Sequence, residues 1–167
     1  MADVIHRETL EYRRSVNTPE YDPGEWLINP AIPECPPEYW EVSGDEVIEC
    51  SPTDRLIIDA QKLDAAKVAK ADQITAEFTD ALASRYSADV QRDLLSMLDE
   101  ARQNNNAEMA EHIQKVQIWK NAGKLILWEA HDAVAAAESL VDVAAVSIDL
   151  TDWLYTDPQI SLREIGE

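Results

Sequence analysis

The sequence predicts a mainly α protein: an extended, Pro-rich N-terminal arm, a small β-hairpin, then a long helix and a helical bundle. Three observations carry this. Seven of the eight prolines fall between residues 18 and 53, where each fixes φ and disfavours helix in the residue before it. Ser43-Gly44-Asp45 separates two short apolar runs, and Gly44 is free to take the positive φ of a tight hairpin. Ser51-Pro52-Thr53-Asp54 is a helix start: a Ser N-cap, Pro at the first helical position, and an Asp closing a capping box. From there apolar residues recur at three- and four-residue steps almost to the end.

In chain order, residues 1–36 read as an extended docking arm. Val4, Ile5, Leu10, Tyr12 and Val16 are apolar at irregular spacing, and either the monomer buries them or another chain does. Residues 17–24 are turn chemistry. Trp26-Leu27-Ile28 is a short apolar strand or anchor, and Ile32 sits in the polyproline-like course that follows. Residues 37–50 form the hairpin, with strands expected over 39–42 and 46–50. The candidate protein-interface residues are Val4, Ile5, Leu10, Trp26, Leu27, Ile28, Ile32, Tyr39 and Trp40, on the argument that this third of the chain lacks apolar surface of its own to cover them.

Residues 51–150 read as the helical body. A first helix spans about 52–85, with Leu56, Ala60, Leu63, Ala71, Ile74, Phe78 and Leu82 on one face and Lys67 interrupting it. At 1.5 Å per residue it is ~50 Å long. It forms a short coiled coil, or it breaks near 69–72 into two ordinary helices. Ser87 caps a second helix over 88–102, and Asn106 caps a third over 107–122. Gly123 reads as a stop, with a fourth helix over 124–137. Residues 139–150 are ambiguous between helix and strand. Residues 151–167 read as a C-terminal docking tail: a helical turn over 151–155, ended at Asp157-Pro158, then a weakly alternating segment from 159 on.

Charge and composition exclude more than they assign. The net charge of −19 argues against nucleic-acid and anionic-membrane partners. It is concentrated at the ends: residues 1–50 carry 12 acidic against 3 basic side chains, residues 51–120 carry 12 against 9, and residues 121–167 carry 9 against 2. The opening residues lack the apolar run of a signal peptide, and no stretch approaches the ~20 apolar residues of a membrane span. No Gly-rich phosphate loop, Walker lysine or Gly-x-Ser-x-Gly is present. His6, His112 and His131 each lack a His or Cys at metal-ligand spacing. Cys50 precedes a helix N-terminus, whose dipole lowers a thiol pKa, but no His accompanies it. Cys35 and Cys50 flank the hairpin, so either they pair or both remain thiols. No enzyme activity and no cofactor are expected. The five Trp read as core and interface anchors.

One resemblance adds to this. Ser15-Val16-Asn17-Thr18-Pro19-Glu20-Tyr21, then Glu25-Trp26-Leu27-Ile28-Asn29-Pro30, then Tyr39-Trp40-Glu41-Val42 and Gly44-Asp45-Glu46-Val47-Ile48-Glu49 before a helix start, resemble a segment of tail-associated proteins of tailed bacteriophages. The part from Ile74-Thr75-Ala76-Glu77-Phe78 through Arg85-Tyr86-Ser87 and Trp119 is similar to a helical domain of phage tail-fibre and fibre-assembly proteins. The Pro-rich stretch 32–37 departs from the simpler linker of that pattern. The resemblance implies a virion structural protein: part of a tail fibre, a fibre connector or the baseplate periphery. It would be assembled in the host cytoplasm as a homo-oligomer, a trimer by preference, among other tail or baseplate proteins. The alternative is a tail-fibre assembly chaperone that leaves before the virion is complete. It carries no catalytic residues.

Overall fold

The computed structural model describes residues 2–158. The chain is mostly helical, with small antiparallel sheets at the N-terminal end. It divides into two compact units, Met1–Lys62 and Leu63–Glu167. The weakly alternating segment from 159 on, the end of the expected docking tail, lies outside the described residues.

The first unit corrects the expectation of an extended arm. Strand β1 (Ala2–His6) is the centre of a three-stranded antiparallel sheet, flanked by β2 (Tyr12–Val16) and β3 (Trp26–Ile28). Ile5 stands opposite Tyr12 on one side and Leu27 on the other. The β1–β2 connection turns at Leu10, which takes a φ of 58°. Asn29, at φ 50°, ends β3, and its side-chain oxygen accepts from the Asp3 N–H at 3.1 Å. The hairpin is β4 (Trp40–Ser43) paired with β5 (Glu46–Glu49), and Gly44 has a φ of 61° as its turn requires. Tyr39 belongs to a 3-10 turn (Pro37–Tyr39) rather than to the strand.

Both sheets share one core. Ile5, Leu27, Trp40 and Val47 pack together, with Leu10, Tyr12, Cys35 and Val42 at the edge. Burial of polar backbone is matched by hydrogen bonds: the Trp40 indole N–H donates to the Cys35 carbonyl at 3.0 Å. Arg7 fastens the turn of the hairpin to the end of β1, donating to the Gly44 carbonyl and to the Asp45 carboxylate, each at 2.7 Å. The prolines therefore form connections between strands, not a free arm.

Helix α1 (Pro52–Ala83) opens as predicted. The Asp54 N–H donates to Ser51 Oγ at 3.2 Å, and Ser51 Oγ donates to the Asp54 carboxylate at 2.6 Å. The helix is continuous, without a break at 69–72. Lys67, which interrupts the apolar stripe, donates from Nζ to the Ala135 carbonyl at 2.9 Å. That carbonyl lies in the last turn of a helix, where carbonyls lack helical donors and attract a cation.

In the second unit, α1 packs with α2 (Ala88–Gln103) and α3 (Ala107–Ala136). Ser87 and Asn106 cap α2 and α3 through side-chain bonds from the Val90 and Met109 N–H groups. Phe78, Leu82, Leu94, Leu98, Ile113, Val116 and Trp119 make the main core. Ile74, Ala130 and Val134 make a smaller cluster. The expected stop at Gly123 does not occur: α3 runs through it. Gly123 is buried beneath Trp153, and a Cβ there would come within 2.4 Å of two ring carbons. The residues read as a docking tail begin with α5 (Thr151–Tyr155), which the chain keeps for itself: Trp153 enters this core. Between α3 and α5, the ambiguous stretch forms a short helix α4 (Leu140–Ala145) and then an irregular connection.

Candidate protein interface

The nine residues proposed for docking lie in the first unit, and most are spent on its own core. Val4 and Ile5 are fully buried, and Leu27, Tyr39 and Trp40 are buried too. Leu10 and Trp26 are half-buried. Trp26 stands edge-on to His6 and Tyr21, with ring centroids 4.8 and 4.9 Å apart. Only Ile28 and Ile32 are exposed, and each only marginally. The structure thus gathers seven of the nine into one folded unit instead of laying them along an open surface.

Tyr39 shows how thoroughly such a residue is engaged. Its hydroxyl donates to Asp59 Oδ1, and Arg55 and Lys62 lie over its ring at 4.5 and 5.4 Å. The hydrogen bond to Asp59, and then burial, raise its pKa above the ordinary phenol value. Lys62 also binds Glu38 at 2.8 Å. That bond lowers the Glu38 pKa and raises the Lys62 pKa.

The remaining polar candidates do not converge. Among the described residues no three His, Cys, Asp or Glu side chains are grouped to hold a metal ion. Cys35 and Cys50 are both free thiols. Cys50 departs from the helix-dipole expectation: burial first, then the charges of Asp54 and Glu49, push its pKa up. His131 Nε2 lies 3.0 Å from Thr75 Oγ1, a contact between α3 and α1.

Large exposed apolar side chains lie instead on the helices. Leu56, Ile57 and Val68 are exposed on α1, in the half of the helix that precedes the buried Ile74, Phe78 and Leu82. On α3, Ile118, Leu125 and Trp128 are exposed, the indole by 58%. An α-helix turns about 100° per residue, so these three project opposite Val116, Gly123 and Ala130, which face the core. Helix α3 is apolar on two sides, and the described residues cover one. Leu140 and Val141 on α4 and Tyr155 on α5 are exposed too, Tyr155 by 91%. Beside α4 an open depression of about 610 Å³ is floored by Ala133, Ala136 and Ala137 and rimmed by Glu138 and Asp142.

The sequence signal for the α3 surface was available but misassigned. A helix that starts afresh after Gly123 gives Leu125 and Trp128 no fixed phase to Val116 and Trp119. A continuous helix in register with Val116 and Trp119 turns them outward. Comparison with known proteins finds no matching family model, no matching curated protein and no matching solved structure.

Proposed function

We propose that this chain is a structural assembly protein of a bacteriophage tail, part of a fibre, a connector or the baseplate periphery, acting through protein–protein contacts as a homo-oligomer. The tail assignment comes from the hairpin and helical segments that resemble tail-associated proteins. The assembly role is supported by one observation: well-formed helices display Ile118, Leu125, Trp128, Val141 and Tyr155 to solvent. Ile118, Leu125 and Trp128 share one side of α3, and exposed apolar patches mark contact sites, in which Trp and Tyr are among the residues most often decisive. This moves the contact surface from the N-terminal residues, which are committed to a core, to the helical body.

A mass-spectrometric inventory of purified particles tests the reading. The protein is expected in finished particles at a fixed ratio to the other tail proteins. Its presence on immature fibres and absence from finished particles supports the chaperone reading instead. Its absence from both overturns the proposal.

A further inference from the structure

We draw no further inference here: the strongest candidate, the outward side of α3 with Ile118, Leu125 and Trp128 exposed, carries Lys124 alongside Glu129 and Asp132, so its charge selects no partner, and nothing in the structure shows what covers it.

Discussion

Gly123 and Trp153 hold the second unit together at the scale of single residues. The two indoles, Trp119 and Trp153, stack with centroids 4.2 Å apart and planes 11° from parallel. Each ring N–H donates to the other residue's carbonyl at 2.8 Å. The Trp119 carbonyl lies in a helix, where its ordinary partner is the N–H four residues on, that of Gly123. A carbonyl has a second lone pair, and the bare Cα of Gly123 leaves it open to the Trp153 indole. Gly123→Ala tests this against an opposing effect. Alanine gains about 1 kcal/mol of helix propensity. A methyl group 2.4 Å from a ring packed between Trp119 and Phe78 has nowhere to go, and overpacking costs about 1–3 kcal/mol. We expect the overpacking to win and the melting temperature to fall by several degrees. Trp153→Ala should cost about 3–5 kcal/mol and abolish the near-ultraviolet signal of the pair. Cys50 is a milder case. Its raised pKa leaves little thiolate at neutral pH, so alkylation at pH 7.5 should be much slower in the native protein than in the urea-unfolded chain.

At the scale of elements, what was legible in the sequence was local. The capping box at Ser51 and Asp54, the caps Ser87 and Asn106, and the turn at Gly44 depend on residues within four positions of one another, and all are found as read. Ser51→Ala should destabilise the start of α1 by about 1 kcal/mol, seen as faster hydrogen exchange at its first turn. What was not legible depends on distant partners. Strand β1 is five residues long, and its second neighbour, β3, lies beyond β2, a 3-10 turn that contains Pro19 and a loop that contains Pro23. Nothing within residues 2–6 states that Leu27 will cover Ile5. The same reason turned Gly123 into an apparent stop, since its true partner is thirty residues away. Val4, Ile5, Leu27, Tyr39 and Trp40 are anchors, as their size suggested, but of an internal core. Deleting residues 1–35 should consequently unfold the hairpin as well, because Trp40 and Val47 lose Ile5 and Leu27. The loss of Trp40 fluorescence structure would report it.

On the scale of the whole molecule, charge sets the conditions of stability. With a net charge of −19 the folded chain repels itself. Salt screens such repulsion, since the Debye length shrinks to about 10 Å at 0.1 M. At concentrations where the chain is monomeric, its melting temperature should therefore rise between low and moderate salt. Acid acts in the other direction on particular groups. Glu38 is held below the ordinary carboxylate range by Lys62, Glu111 by Lys115, and Asp149 by the Thr151 N–H. A depressed folded pKa contributes stability that is complete above the unfolded value, near 4, and is lost as the pH falls through the folded one. Thermal stability should accordingly fall steadily below about pH 4, and these three pairs should contribute nothing to its change between pH 6 and 8.

The central claim, that copies meet through the helical body and not through the N-terminal sheets, is tested most directly by hydrogen exchange of the full chain at low and at high concentration. The account predicts added protection at high concentration over residues 112–128 and 138–155, and none over residues 2–28. Protection confined to residues 2–28 would contradict it.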